Sequence, residues 1–105
     1  MEKLTIMLAC GNGMSTSLLA KRMQDAADKQ GLDAVVFAGA VKTIPSEMDK
    51  KHPDVVLIGP QVRYVVPELK EKLNIPVEMI NTMDYGMMNG ENVLETAKKL
   101  VAANK

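Results

Sequence analysis

The sequence contains no tryptophan, one cysteine, one histidine and few aromatic residues among its 105 positions. A single cysteine excludes an internal disulfide framework, so stability must come from burial of apolar side chains. One cysteine and one histidine placed far apart do not form a metal-ligand cluster. We therefore expect no metal and no cofactor, and a reducing, cytoplasmic environment.

The chain also lacks an excess charge of either sign and any long hydrophobic run. Its 13 basic and 13 acidic side chains give a formal net charge of zero at pH 7, which removes the attraction that a nucleic-acid binder normally shows. Apolar runs such as Val55 to Ile58 are far shorter than a membrane span, and the first residues lack the hydrophobic region of a signal peptide. We expect no nucleic-acid partner and no direct membrane insertion.

Short apolar, partly β-branched runs recur along the chain and predict buried strands. They are Leu4 to Ala9, Ala34 to Ala38, Val55 to Ile58 and Val77 to Ile80. The segments between them are long enough for helical crossovers, which implies parallel pairing. The predicted fold class is α/β, with a single open four-stranded parallel sheet that carries helices on both faces, in one domain over residues 1–105.

The helices are predicted from caps and apolar periodicity. The first starts at the cluster Ser15, Thr16, Ser17, any of which can cap it, and stops at Gly31; the last runs from about Gly90. Shorter helices are predicted from Ile44 to Lys51, with Pro45 in the first turn, and from Pro67 to Leu73.

Ligands of open parallel sheets bind beyond the carboxyl ends of the strands, and the loop after the first strand has the strongest chemical signal there. It places Cys10 at the strand end and suits an oxyanion, because glycine backbones, a helix start and hydroxyls all supply hydrogen-bond donors. The predicted phosphate-binding residues are Gly11, Asn12, Gly13, Met14, Ser15, Thr16 and Ser17. The same donors favour the thiolate of Cys10, which we predict to be the catalytic nucleophile.

Three known phosphate loops differ from this one. A Walker A loop requires a Gly-Lys-Ser/Thr ending that is absent, and a dinucleotide fingerprint requires a small residue where Thr16 stands and an acid where Gly39 follows the second strand. The low-molecular-weight tyrosine phosphatase loop also starts with cysteine, but its arginine would fall on Thr16. Without that guanidinium, stabilisation of a phosphoryl group for hydrolysis is poor.

The segment Cys-Gly-Asn-Gly-Met-Ser-Thr-Ser-Leu-Leu at residues 10–19, preceded by Ile-Met-Leu-Ala, resembles the active loop of the enzyme IIB component of the bacterial sugar phosphotransferase system (PTS). The resemblance extends to residues 54–61, with the ending Gly59-Pro60-Gln61, and to residues 76–80. It is closest to the lactose/cellobiose (chitobiose) type, whose fold is that of the low-molecular-weight tyrosine phosphatases. One departure is Gly11-Asn12-Gly13, which is closer to galactitol- and ascorbate-type IIB proteins and leaves the sugar open.

The resemblance implies a phosphoryl relay. The Cys10 thiolate takes a phosphoryl group from a phosphohistidine on a IIA partner, becomes phosphocysteine, and passes the group to a sugar held by a membrane IIC partner. A β-linked disaccharide such as cellobiose, chitobiose or lactose is the implied substrate. A loop without arginine suits transfer better than hydrolysis. A tyrosine-phosphatase-like hydrolase, a galactitol/ascorbate-type IIB and a regulatory binding module are the alternatives.

Further residues have two interpretations each. We expect His52 on the surface at the end opposite the strand carboxyl termini, and Asp84 in a turn rather than as a general acid. Arg63 and Tyr64 lie on the loop after the third strand, where they contact phosphate, a partner or solvent. Methionines are numerous: core filling is expected for Met7, Met23 and Met79, whereas Met14, Met83, Met87 and Met88 lie on loops suited either to docking or to packing.

Overall fold

The computed structural model of the protein describes residues 3–104. Its strands are β1 (Leu4–Cys10), β2 (Ala34–Ala40), β3 (Val55–Ile58) and β4 (Val77–Met79). Its helices are α1 (Met14–Lys29), α2 (Ile44–Lys51), α3 (Val66–Lys72), α4 (Thr82–Gly86) and α5 (Gly90–Ala103), with 3-10 turns at Val41–Thr43 and Pro60–Val65. The strands form one parallel sheet in the order β2-β1-β3-β4. The predicted four-stranded parallel α/β sheet is confirmed.

Alternation along the central strand β1 divides the core into two layers. Ile6 and Leu8 face the cluster formed with α1 and α5, and Met7 and Ala9 face the cluster that includes Ile44 of α2. Each of these side chains is fully buried. Helices therefore cover both faces of the sheet, as the continuous apolar runs predict for parallel strands.

The order of the strands in the sheet determines where a ligand site can lie. The chain leaves β1 toward β2 on one side and later returns to β3 on the other, so the connections diverge from the carboxyl end of β1. Such a point leaves a crevice between neighbouring strand ends, where open parallel sheets bind ligands. Cys10 is the last residue of β1 and therefore lies at this crevice.

The start of α1 differs from the prediction. The helix begins at Met14, its N-cap is Gly13 at φ 84°, and no serine or threonine of the cluster caps it. Instead, the side-chain oxygen of Asn12 accepts from the Met14 amide at 3.0 Å. Because Asn12 takes this role, the hydroxyls of the first helical turn are left for other contacts. The predicted stop is confirmed, since the helix ends at Lys29 and Gly31 follows at φ 67°.

Other bounds differ by short stretches. The strand β2 extends to Ala40, two residues past the predicted end, and α3 runs from Val66 to Lys72 rather than from Pro67 to Leu73. The helix α4 and both 3-10 turns lie in segments predicted as loops. The predicted bounds of α2 and the start of α5 at Gly90 are confirmed.

The outer edge of β2 is covered by side chains. The Gln24 amide group of α1 donates to the carbonyl of Ala34 at 2.8 Å and its oxygen accepts from the amide of Val36 at 2.9 Å. Farther along the strand, the Thr43 hydroxyl donates to the carbonyl of Ala40 at 2.9 Å. Backbone groups that have no neighbouring strand are thereby paired at both ends of β2.

The helices α1 and α5 approach closely where α5 starts. A Cβ atom placed on Gly90 would lie 2.6 Å from the carbonyl carbon of Arg22 and 2.8 Å from its oxygen. The Arg22 side chain in turn donates to the carbonyl of Met88 at 3.3 Å. Glycine at position 90 is therefore required by the backbone contact rather than by a turn.

Within residues 3–104, no helix combines the length and the apolar character that crossing a membrane would need.

Candidate functional site

The sulfur of Cys10 receives hydrogen bonds from the loop that follows β1. The Gly13 amide donates to it at 2.9 Å, and the Thr16 hydroxyl lies 3.6 Å away. The Asn12 amide and the amide and hydroxyl of Ser15 also act on the sulfur, since they lower the pKa of the thiol. Donors from consecutive residues converge because the chain turns at Gly13 and then enters α1, whose first amides have no partner within the helix.

These donors change the acidity of the thiol. Burial raises the pKa of Cys10, but the hydrogen bonds from Ser15, Thr16 and Asn12 outweigh it and lower the pKa to about 7. Donors that point at sulfur stabilise the thiolate more than the thiol. A large fraction of Cys10 is therefore thiolate at neutral pH, which is the nucleophilic form of cysteine.

Backbone packing fixes the shape of the loop. At Gly13 the φ of 84° lies in the left-handed region, and a Cβ atom there would lie 3.2 Å from the carbonyl carbon of Gly39. Thr16 is fully buried, and its hydroxyl lies 3.3 Å from the Gly13 carbonyl as well as near the sulfur. Gly13 thus packs against the end of β2, and Thr16 bridges Cys10 and Gly13 within the loop.

Of the seven predicted phosphate-binding residues, the structure brings four to the sulfur, namely Asn12, Gly13, Ser15 and Thr16. The Ser17 hydroxyl donates to the carbonyl of Met14 at 2.8 Å, so it is directed along the helix rather than toward Cys10. The Met14 amide is occupied by the Asn12 oxygen, and the Met14 side chain is 75% exposed. Gly11 is exposed, and a Cβ atom there would contact nothing within 4 Å.

Residues after β3 also reach Cys10. A Cβ atom on Gly59 would lie 3.4 Å from the Cβ of Cys10 and 3.3 Å from the side-chain oxygen of Gln61. Sequence reasoning did not assign these residues to the site. A signal for them exists, because a glycine directly after a buried strand often marks a close approach of backbone to another group.

Asp84 accepts hydrogen bonds from two residues near the start of α5. Its carboxylate accepts from the Asn92 side chain at 3.1 Å, and its carbonyl accepts from the Asn89 amide at 2.9 Å. These bonds tie α4 to the start of α5. Asp84 therefore has the structural role that was predicted, but within helix α4 rather than in a turn.

The remaining candidates lie apart from the sulfur or on the surface. His52 is exposed at the end of α2, before β3, as predicted. Arg63 donates to the Pro60 carbonyl at 3.3 Å, and Tyr64 is 76% exposed. Within residues 3–104, no group of three or more His, Cys, Asp or Glu side chains is placed to hold a metal ion.

The methionines divide between core and surface. Met7 and Met23 are fully buried, as predicted, whereas Met79 is 37% exposed, so its predicted core role is wrong. Met79 ends the edge strand β4, where few neighbours cover it. The methionines Met83 and Met87 are exposed, but Met88 is half-buried and packs against the core.

An open parallel sheet whose first strand ends in an activated cysteine, followed by a loop of converging amides and hydroxyls, defines a cysteine-loop α/β protein. The family model for the PTS system, lactose/cellobiose-specific IIB subunit, matches residues 5–96. The chain belongs to this family of PTS IIB components.

Individual relatives agree with this assignment. The chain is 42% identical to the PTS system galactose-specific EIIB component of Lactococcus lactis subsp. cremoris and to the cellobiose-specific EIIB component of Lactococcus lactis subsp. lactis, in each case covering 91% of this chain and 94% of the relative. It is 40% identical, with the same coverage, to the oligo-beta-mannoside-specific EIIB component of Bacillus subtilis.

Solved structures show the same architecture. The solution structure of a cellobiose-specific phosphotransferase IIB component from Borrelia burgdorferi superimposes with a TM-score of 0.80 at 38% identity, covering 99% of this chain and 96% of that one. The lactose-specific IIB domain from Streptococcus pneumoniae has a TM-score of 0.77 at 20% identity, covering 94% and 98%, and shares the fold.

Proposed function

We propose that Cys10 is the phosphoryl carrier of a protein-phosphohistidine-sugar phosphotransferase relay, with residues 1–105 acting as one cytoplasmic IIB domain. The donor is a phosphohistidine of a IIA protein, and the acceptor is a sugar bound by a membrane IIC permease. The observation that carries the proposal is the convergence of amide and hydroxyl donors on a sulfur whose pKa is lowered to about 7.

The first transfer is a displacement at phosphorus. A lone pair of the Cys10 thiolate attacks the phosphorus of phosphohistidine, the P–N bond breaks with its electron pair going to nitrogen, and the histidine of IIA leaves as neutral imidazole by taking up a proton from solvent. Deprotonation of the thiol costs little because its pKa lies near neutral pH. The amides and hydroxyls of Asn12, Gly13, Ser15 and Thr16 then stabilise the phosphoryl oxygens in place of the thiolate charge.

The second transfer regenerates the thiolate. A hydroxyl oxygen of the sugar attacks the phosphorus, the S–P bond breaks, and Cys10 leaves as the thiolate that the same donors stabilise, while the hydroxyl proton passes to a base or to water.

A hydrolytic function has less support. Thr16 stands where a tyrosine phosphatase loop has its arginine, and Asp84 is engaged by Asn92. Neither a guanidinium clamp nor a free general acid is therefore supplied by these positions.

The exposed apolar side chains on this end of the molecule supply a docking surface for both partners. Met14 and Leu18 lie one turn apart on α1, and Met83 lies on α4 with Met87 directly after its last residue. Tyr64 follows β3. Methionine side chains adapt to differently shaped partners, which suits a protein that must contact IIA and IIC in turn.

The sugar is proposed from the relatives. The relatives are named as specific for galactose, cellobiose and oligo-beta-mannoside, and because two of these three are β-linked sugars, the proposed substrate is a β-linked disaccharide such as cellobiose, chitobiose or lactose. Uptake of radiolabelled cellobiose, lactose and galactitol by cells with and without the gene distinguishes the lactose/cellobiose type from the galactitol type.

Intact mass spectrometry tests the relay. After incubation with a phosphorylated IIA protein, we expect one added phosphoryl group on the wild type and none on Cys10→Ser. Aryl phosphates such as p-nitrophenyl phosphate should be hydrolysed negligibly. A wild-type protein that gains no phosphoryl group from any lactose/cellobiose-type IIA, or one that hydrolyses the aryl phosphate rapidly through Cys10, contradicts the proposal.

A further inference from the structure

Gln61 lies in the loop after β3, across the crevice between β1 and β3 from Cys10. The Gly59 amide donates to the carbonyl of Ala9 at 2.8 Å, which fixes the loop after β3 against the end of β1. The space beside Gly59 is bordered by both the Cys10 side chain and the Gln61 carboxamide, at 3.4 and 3.3 Å from a Cβ placed there. The carboxamide of Gln61 and the Cβ of Cys10 therefore border the same small space, which glycine leaves open.

The Gln61 side chain is exposed, and its carboxamide is free of hydrogen bonds to the rest of the described chain. None of the hydrogen bonds found within residues 3–104 involves its carboxamide. A carboxamide carries two donor hydrogens on nitrogen, and half a turn about its last side-chain bond exchanges that nitrogen with the oxygen. Gln61 is therefore able to present donors to a group bound at Cys10 without breaking an existing bond.

The sulfur receives its donors from one side only. Every hydrogen bond that lowers the pKa of Cys10 comes from residues 12–16, on the α1 side of the crevice. A phosphoryl group carries several charged oxygens, and those directed toward β3 require donors of their own. The loop itself contains no lysine or arginine to supply them.

We propose that the Gln61 carboxamide donates a hydrogen bond to a phosphoryl oxygen on the β3 side of Cys10, an inference that rests on the proposed relay. Gln61 forms and breaks no covalent bond. It contacts the phosphoryl group as it arrives on sulfur and while it stays there. Being neutral, it satisfies the oxygen without the strong charge that an arginine would add to a hydrolytic transition state.

Paired substitutions test this contact. Gln61→Ala removes the donors, and Gln61→Glu retains the shape but places a negative charge beside the phosphoryl group. Gln30 is an exposed glutamine at the far end of α1, bonded to Lys98 and Glu95, so Gln30→Ala and Gln30→Glu are controls of matched chemistry.

We expect Gln61→Ala to accept phosphoryl from phosphorylated IIA about tenfold more slowly than wild type, as the loss of one hydrogen bond to a charged group implies. Gln61→Glu should be slower still, and both Gln30 variants should match wild type. The thiol pKa of Gln61→Ala, measured by alkylation against pH, should be unchanged, because Gln61 does not donate to the sulfur. A pKa that rises together with the loss of rate would show that Gln61 only positions the loop, and would overturn the direct contact.

Side-chain amide resonances in NMR spectra provide a measurement that needs no variant. Phosphorylation of Cys10 should shift the Gln61 side-chain amide signals and leave those of Gln30 in place. If the wild type is phosphorylated while the Gln61 signals stay unmoved and Gln61→Ala reacts at the wild-type rate, the contact is overturned and the relay stands. If the wild type is not phosphorylated at all, both proposals fail.

Discussion

The hydroxyl of Thr16, a fully buried residue, lies 3.6 Å from the sulfur of Cys10 and 3.3 Å from the carbonyl of Gly13. One side chain thus contacts the reactive atom and the glycine that shapes the loop. A buried hydroxyl must have a partner, and both partners here belong to the site.

Thr16→Val, which replaces the hydroxyl by a methyl group of similar size, should raise the pKa of Cys10 toward the ordinary value of a cysteine thiol. It should also slow phosphoryl acceptance, by about tenfold if one hydrogen bond to a charged group is lost. Ser17→Ala is the control, because the Ser17 hydroxyl donates to Met14 and not to the sulfur. Iodoacetamide alkylation against pH measures the pKa, and a Thr16→Val pKa equal to that of wild type would contradict the assignment of this hydroxyl.

The reactivity of Cys10 should follow its own ionisation. With a pKa of about 7, alkylation should rise through that pH and level off well before the pH at which a free thiol does. The folded pKa is lower than the unfolded one, so this group stabilises the fold above the unfolded pKa, and the stabilisation is lost as pH falls through about 7. Urea unfolding of wild type and Cys10→Ser, compared between pH 6 and pH 9, should show wild type gaining relative stability as pH rises; the opposite trend would exclude a stabilised thiolate.

A side chain at position 13 should strain the loop backbone and thereby alter the pKa of the Cys10 thiol. Gly13→Ala or Gly13→Val forces a side chain into the left-handed region, at a cost of about 1–3 kcal/mol, and presses it against Gly39. We expect a folded protein with a raised Cys10 pKa and strongly reduced phosphoryl acceptance. Gly11→Ala, where a Cβ atom meets nothing within 4 Å, is the matched control and should have little effect. Wild-type thiol pKa and transfer rate in Gly13→Val would contradict the role of the loop amides.

Alanine usually stabilises a helix relative to glycine, but the close contact between α1 and α5 at Gly90 predicts the opposite there. Gly90→Ala should destabilise the protein by about 1–3 kcal/mol, because its Cβ atom would overlap the Arg22 backbone. Gly86→Ala, at the end of α4 with open space around it, should be neutral or stabilising by up to about 1 kcal/mol. Urea unfolding midpoints measure both, and equal midpoints would show that the helices separate at no cost.

The elements that the sequence predicted correctly are those with strong local signals. The run Val55 to Ile58 and the stop at Gly31 were found where the pattern placed them, because buried strands need continuous apolar residues and helix ends favour glycine at positive φ. The short α4 was not predicted, since five residues hold too few apolar positions to show a period.

Within the site, the nature of the loop could be predicted but not the direction of each side chain. Cys10 and the donor-rich residues after it were recognisable from residue type alone. Ser17 is turned away from the sulfur because its hydroxyl donates to the Met14 carbonyl one turn back in the helix, which residue type alone does not reveal. The approach of Gln61 depended on strand order, which places β3 beside β1 and which local patterns do not encode.

The hydrogen bonds that Gln24 and Thr43 make along β2 hinder the association of one copy of this protein with another through the edge of the sheet. The strand Ala-Val-Val-Phe-Ala-Gly-Ala contains neither charge nor proline, the features that commonly prevent an edge from recruiting another strand. A second molecule can add a strand to this edge only after it displaces the Gln24 carboxamide and the Thr43 hydroxyl from β2. Helix α1 and the turn after β2 therefore protect this edge against aggregation. The strand itself can consist of apolar residues that pack in the core.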